Sequence, residues 1–296
     1  MAIDSLTRLK TRTWIYAQPQ TSNFELTRMH YTPLLPTVIT AAEHACKEIM
    51  EVYTSGNFGA ELKGDNSPLT LADKKAHVAI TTILQSSNLP VFQSTNLPIF
   101  QSSNFPILSE EGKSIPYAER KDWEYFWIVD PLDGTKEFLK RNGEFTVNIA
   151  LIHKDKPVLG VVAVPVSGDV YYAADQQAFV KRNGIEIKLP RRGRIDLKQS
   201  GLRVVASRSH MNEETQQFIN SLNQPTLVSS GSSLKFMLLA EGAADVYPRY
   251  APTMEWDTAA SQAIVNAVGL QVTQEDSHME LLYNKENLLN PSFLVC

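Results

Sequence analysis

A chain of 296 residues exceeds one average domain of ~150 and can bury ~75% of its unfolded surface, so it needs no disulfide or structural-metal staple. With 43% hydrophobic and 20% charged residues it reads as an ordinary soluble globular protein, neither disordered nor collagen-like. A formal charge of −4 and a pI near 5.9 lack the basic excess of a dedicated nucleic-acid binder, although a small anionic substrate stays possible where bound metal supplies positive charge.

Residues 1–33 mix Thr, Gln, Arg and aromatics without periodicity and contain no apolar signal region, so a disordered N-terminal extension is expected. Met29 offers an alternative translation start, with a weak transit peptide as the other reading. The folded body begins near Leu34, since Val38, Ala41, Ala42, Ala45, Ile49 and Val52 recur at helical spacing. A second helix is predicted from Leu71 to Gln85, opened by Thr70 and Asp73 at the spacing of a capping box. Three uncharged octads follow: QSSNLPVF, QSTNLPIF and QSSNFPIL. Each is too short to build a core of its own, so they read as a duplication of about residues 85–104 that lengthens one connection.

PILSEE looks like a short buried strand ending in acid. Beyond it FWIVD, FTVNIALI, KPVLGVVAVPV and DVYYAA alternate with turn sequences, the pattern of an antiparallel meander, and Arg182-Asn183-Gly184 suggests one more hairpin. The apolar run from Val158 to Val166 is half of what spans a bilayer. After the linker Arg191–Arg194, strand and helix alternate, with helices near Asn212–Leu222, from about Leu234, and from Thr258 to Val268. The expected domains are 34–194, α+β and metal-binding, and 195–296, α/β, completing the site. Cys46 and Cys296 belong to no metal-spaced pattern, and a reducing cytoplasm is the default.

The chemistry concentrates in WIVDPLDGT. An apolar strand ends at Asp130, Pro131 stops it, and Gly134-Thr135 open a helix, which sets Asp130 and Asp133 beside free helix N–H groups. Carboxylates hold Mg²⁺ and helix N-termini hold phosphate oxygens. Alone, Asp133 reads as an N-cap and Asp130 as a turn former. Glu110 and Glu111 after the PIL strand, and Asp257 at the start of a helix carrying Ala260, Ile264 and Val268, add acids to the set. Asp65, in KGDNSP, is by itself an Asx-turn before a proline.

Together these segments resemble the inositol monophosphatase and fructose-bisphosphatase superfamily of Mg²⁺-dependent phosphatases, from about Leu34 to the end of the chain. KGDNSPLTLAD, LSEEG, DPLDGTKEF, SRSH, GSSLKF, ADVYPR and EWDTAA are similar to the CysQ-type 3′(2′),5′-bisphosphate nucleotidases within it. The resemblance implies a layered αβαβα sandwich and two or three Mg²⁺ ions. Glu110, Asp130 and the Leu132 carbonyl would hold the first ion, and Asp130, Asp133 and Asp257 the second. Asp65 and Thr135 would orient the attacking water, with the N–H groups of Gly134 and Thr135 on the phosphate. It further implies substrate contacts at His210, Ser232, Lys235 and Arg249 beside those metal-site residues. Lys235 reads otherwise as a solvated lysine, and Arg249 as half of a surface ion pair.

The implied activity is hydrolysis of adenosine 3′,5′-bisphosphate to AMP and phosphate, serving sulfate assimilation in the cytoplasm, with peripheral association at the inner membrane left open. An inositol-phosphate or sugar-phosphate phosphatase is the alternative, and a non-catalytic RNA- or partner-binding regulator the more distant one. None of the six histidines lies in the acid motifs, in keeping with a metal-activated water.

Overall fold

The computed structural model describes residues 30–64, 68–86, 105–193, 195–206 and 211–296. Residues 1–29, octad residues 87–104, Asp65 and His210 therefore lie outside the described residues, whereas residues 30–33 of the expected extension are folded, with Tyr31 buried and its N–H donating to Asp175 at 3.0 Å.

After a 3₁₀ turn at Thr32–Leu34, helix α1 runs Leu35–Ser55 and buries Leu35, Val38, Ala41, Ala42, Ala45, Ile49 and Val52, the face that the periodicity selects. It stops at Gly56, whose φ of +72° is open to glycine at little cost. Strands β1 (Glu61–Leu62) and β2 (Pro68–Leu69) make a small antiparallel ribbon. Helix α2 (Leu71–Ser86) lies against α1. Its start is fixed by Asp73, whose Oδ2 accepts from the Thr70 backbone N–H at 2.7 Å and the Thr70 hydroxyl at 2.5 Å.

The central sheet follows: β3 (Ile107–Ser109), helix α3 (Tyr117–Arg120), β4 (Tyr125–Asp133), helix α4 (Thr135–Leu139), then β5 (Thr146–His153), β6 (Lys156–Val164), β7 (Asp169–Ala174), β8 (Gln177–Arg182) and β9 (Ile185–Lys188). Its seven strands lie in sequence order, with β3 parallel to β4 and each later neighbour antiparallel. The expected meander is thus present. Its β8–β9 turn sits on Asn183 and Gly184, both at positive φ, as a two-residue hairpin demands.

The chain continues as β10 (Arg203–Ala206), α5 (Glu213–Ser221), β11 (Thr226–Ser229), α6 (Leu234–Glu241), β12 (Tyr247–Arg249), α7 (Glu255–Ala267), β13 (Val272–Gln274) and β14 (Phe293–Val295). β10 and β11 pair in parallel, and β12, β14 and β13 form an antiparallel sheet joined to β10 by a bridge between Val204 and Val246. The two last strands were not legible in the sequence because each is three residues long.

Both faces of the central sheet are covered, which is why β4 and β5 read as unbroken apolar runs. Trp127, Val129, Val147, Ile149 and Val161 pack under α1 and α2, whereas Phe126, Ile128, Ala150 and Val162 pack under α6, α7 and the smaller sheets. With Ile219 of α5 over Val204 and Ala206, the layers are αβαβα. Helix α7 approaches β6 closely at Gly160, where a Cβ would come within 2.3 Å of the Ala260 carbonyl oxygen. No helix among the described residues is long and apolar enough to cross a membrane.

Candidate active site

The acids converge where β3 and β4 end and α7 begins. Glu110 follows β3 directly and its N–H still bonds the Val129 carbonyl at 3.1 Å, keeping it beside Asp130. One expectation needs correction: Pro131 does not end β4. The strand continues to Asp133 through a register shift between Asp130 and Asp133, an irregularity that tolerates a residue without an N–H. The shift sets Asn148 opposite Asp130 and Thr146 opposite Asp133. Gly134 then turns at φ +92° into α4, and a Cβ there would press on the Glu144 carbonyl at 3.1 Å.

Helix α7 starts three residues before the expected Thr258. Asp257 sits in its first turn, and Oδ2 closes the cap by accepting the Met254 N–H at 2.7 Å. Asp130, Asp133 and Asp257 each bring a ligand-capable oxygen within 4.8 Å of the others. Asp130 is 1% exposed; Oδ1 accepts from the Leu132 N–H at 3.0 Å, and Oδ2 is buried with no partner among the described residues. An orphaned buried carboxylate oxygen among other carboxylates is costly as an anion. Burial, then Glu110 and Asp133, hold the Asp130 carboxyl well above the usual range. Burial and Asp133 push Asp257 up to about 8, and burial also raises Glu110. Oxygen-only donors crowded in this way suit a hard divalent cation, which would remove the repulsion. Lys63, at the end of the β1 ribbon and unnoticed in the sequence, donates to Glu110 at 2.7 Å and to Glu111 at 2.6 Å.

Thr135 is where expectation and structure diverge most usefully. Its hydroxyl donates to Asp73 Oδ1 at 3.1 Å. Asp65, the expected partner, lies outside the described residues. Asp73 was legible only as a helix cap. The cap is present, and it immobilises Oδ2 while Oδ1 serves Thr135; burial raises this carboxyl too. The 62-residue separation of Asp73 and Thr135 left no local signal of their meeting.

Two adjoining cavities share Asp133, Gly134, Glu137, Thr253 and Asp257. The larger, about 600 Å³, is lined by Glu110, Asp130, Leu132, Thr135, Met254 and Trp256 among others. The smaller, about 120 Å³, is lined by Ser232, Lys235, Phe236, Tyr247 and Arg249. Lys235 is buried rather than solvated; its ammonium donates to the Ser232 carbonyl at 2.8 Å, and burial pulls it down to about 8. Arg249 donates to the Pro252 carbonyl at 3.2 Å and its Nε is buried without a partner among the described residues. Neither cation forms an ion pair among the described residues. The Ser232 hydroxyl is turned toward Asp133 and Thr146.

The sequence pattern of the inositol monophosphatase family matches residues 30–293. The chain is 41% identical over 266 residues to the 3′(2′),5′-bisphosphate nucleotidase CysQ of Salmonella typhimurium, covering 88% of this chain and 99% of that protein, and equally to the one of Escherichia coli strain K12. The crystal structure of CysQ from Bacteroides thetaiotaomicron superposes with a TM-score of 0.73 at 44% identity, over 88% of this chain and 95% of that one. A staphylococcal inositol monophosphatase with bound 2′-AMP shares the fold at a TM-score of 0.66 and 19% identity. The layered sheet, the acid cluster at its strand ends and this match along most of the chain agree: the protein belongs to the inositol monophosphatase family.

Proposed function

We propose that the protein is a metal-dependent phosphomonoesterase that hydrolyses adenosine 3′,5′-bisphosphate to AMP and phosphate. The observation that carries the reading is the adjacency of a carboxylate cluster, with Asp130 Oδ2 buried and unpartnered, to a cavity holding two cations without ion-pair partners among the described residues. The nucleotidases that resemble this chain along 88% of its length support the substrate.

Glu110, Asp130, the Leu132 carbonyl, Asp133 and Asp257 would hold Mg²⁺, which when bound neutralises the phosphate dianion, lowers the pKa of water and stabilises the leaving oxygen. The protein's own groups do the rest. Asp73 accepts the Thr135 proton, so the Thr135 oxygen is free to accept a hydrogen bond from the attacking water and set its direction. Gly134 and Thr135 open α4 and line the larger cavity, and their N–H groups would bind oxygens of the phosphate being cleaved. The cluster can address only that phosphate. A second one needs other cations, and Arg249 and Lys235 line the space next to Asp133.

Phosphate release from adenosine 3′,5′-bisphosphate, inositol 1-phosphate, fructose 1,6-bisphosphate and AMP, each with Mg²⁺ or with EDTA, tests the proposal. Turnover fastest on the bisphosphate and abolished by EDTA is the expected result. Fastest turnover of inositol 1-phosphate would move the function to that class, and salt-dependent RNA binding without phosphate release would replace catalysis altogether.

A further inference from the structure

Asp133 is held more tightly than its neighbours, and the residues holding it come from two separate parts of the chain. Its Oδ2 takes three donors: the Ser232 hydroxyl at 2.5 Å, the Ser233 backbone N–H at 2.8 Å and the Ser233 hydroxyl at 3.1 Å. Behind these stand two side chains of β5. The Thr146 hydroxyl lies 2.7 Å from that of Ser232, and the Asn148 amide donates to the Ser233 hydroxyl at 2.9 Å. Thr146 and Asn148 are two residues apart, hence on one face of the strand, and they lie opposite Asp133 and Asp130 in the register. With the Ser232 proton on Asp133, Thr146 donates to Ser232 in preference to Asn148 Oδ1 at 3.1 Å, and the Ser233 hydroxyl proton is shared between Asp133 at 3.1 Å and the Asp257 carbonyl at 3.2 Å, which gives two legs, Thr146 to Ser232 to Asp133 and Asn148 to Ser233 to Asp133.

The backbone at the junction is unusual. Ser232 has φ +49°, a conformation that favours glycine, yet it carries the side chain that reaches Asp133. Backbone strain of this kind persists only where surroundings enforce it, and here the Lys235 ammonium holds the Ser232 carbonyl. A glycine would relax the turn but delete the hydroxyl.

We propose that Thr146, Asn148, Ser232 and Ser233 are positioning residues for Asp133. By saturating Oδ2 they fix the carboxylate's rotation and leave Oδ1 as the one oxygen open to a cation. The inference rests on reading Asp133 as a metal ligand. It also gives the Ser232 hydroxyl a task other than contact with substrate. Thr146 and Asn148 are 0% and 1% exposed, so they are withdrawn from the cavity, and their side-chain hydrogen bonds reach Asp133 through the serines.

The test is calorimetric titration of Mn²⁺ into the metal-free full-length protein, without substrate, for wild type and for Thr146→Val, Thr146→Ser, Ser232→Gly and Ser233→Ala. Thermal unfolding in EDTA runs alongside. Groups that orient metal ligands typically contribute 10–100-fold to affinity. Thr146→Val and Ser232→Gly are expected to weaken Mn²⁺ binding ~10-fold, while Thr146→Ser restores it to within ~2-fold. Should Thr146→Val fail to fold, Ser232→Gly and Ser233→Ala carry the measurement. Unchanged Mn²⁺ affinity in the variants, with wild type binding normally, overturns the positioning role alone. A wild type that takes up no Mn²⁺ overturns the metal reading as well. A raised KM for nucleotide in Ser232→Gly, at unchanged Mn²⁺ affinity, would assign the hydroxyl to substrate and overturn the proposal.

Discussion

Replacing Asp257 by asparagine should stabilise the metal-free protein at alkaline pH while destroying its activity. The Asp257 carboxyl stands at about 8 instead of an ordinary 3.8, because burial and the neighbouring Asp133 disfavour its charge. A carboxyl raised in the folded state binds its proton more tightly there than in the unfolded chain. Stability therefore falls as pH climbs from about 4 to about 8 and then levels. At ~1.36 kcal/mol per pH unit the ceiling is about 6 kcal/mol. The residue is only partly shielded from the cavity, and its repulsion is shared with Asp130 and Glu110, so we expect about 2 kcal/mol. Asparagine keeps a carbonyl that can accept the Met254 N–H, so the helix start should survive. For a chain of this size about 2 kcal/mol is a rise of roughly 3 °C in Tm. Thermal unfolding in EDTA at pH 5 and pH 8.5 should show the variant's advantage small at the first and full at the second. Saturating Mg²⁺ should reverse the order, since ligand at 100 times Kd adds ~2.7 kcal/mol to wild type and little to the variant. A variant melting at or below wild type in EDTA at pH 8.5 would refute the account of the site as a strained carboxylate cluster.

Asp73→Asn and Thr135→Ala should each lower kcat ~10²–10³-fold with Mg²⁺ affinity nearly unchanged, because they act on the water and not on the cation; parallel loss of metal binding would contradict this. Arg249→Ala should raise KM for adenosine 3′,5′-bisphosphate far more than for a substrate with one phosphate, and equal losses on both would make the arginine structural. Gly160→Ala should cost about 2 kcal/mol or more and reduce turnover together, as the new Cβ meets backbone of α7 and pushes the helix bearing Asp257; wild-type Tm and kcat would disprove that coupling. Removing two octads, residues 85–100, rejoins Leu84 to Gln101-Ser102 and so preserves the sequence that ends α2; activity should stay within a few-fold, and loss of folded protein would show that the repeat is part of the core.

Periodicity was enough to find α1, since a helix packed on a sheet must bury one stripe, and the six residues the spacing selects are all buried, while α2 was marked by its Thr70–Asp73 cap. The meander was equally legible, because apolar runs broken by Asn-Gly, Asp-Lys and Ser-Gly turns leave few other solutions. DPLDGT and the WD of EWDTAA marked three of the acids for a local reason too: an acid at a strand end or in a helix's first turn has a recognisable flank. What the sequence could not decide was which groups meet. Asp73 carries the same local signature whether it only caps α2 or also receives the Thr135 proton. Lys235 looks like a surface lysine until the cavity around it is formed, and Ser232 becomes a partner of Asp133 only when α6 is brought against the end of β5. Pro131 reads as a stop, and only pairing with β5 shows the strand absorbing it as a bulge that turns Asp133 toward Thr146. Local patterns report the interactions of a residue with its chain neighbours. The separations here, 62 residues from Asp73 to Thr135 and 99 from Asp133 to Ser232, are closed by the packing of whole layers.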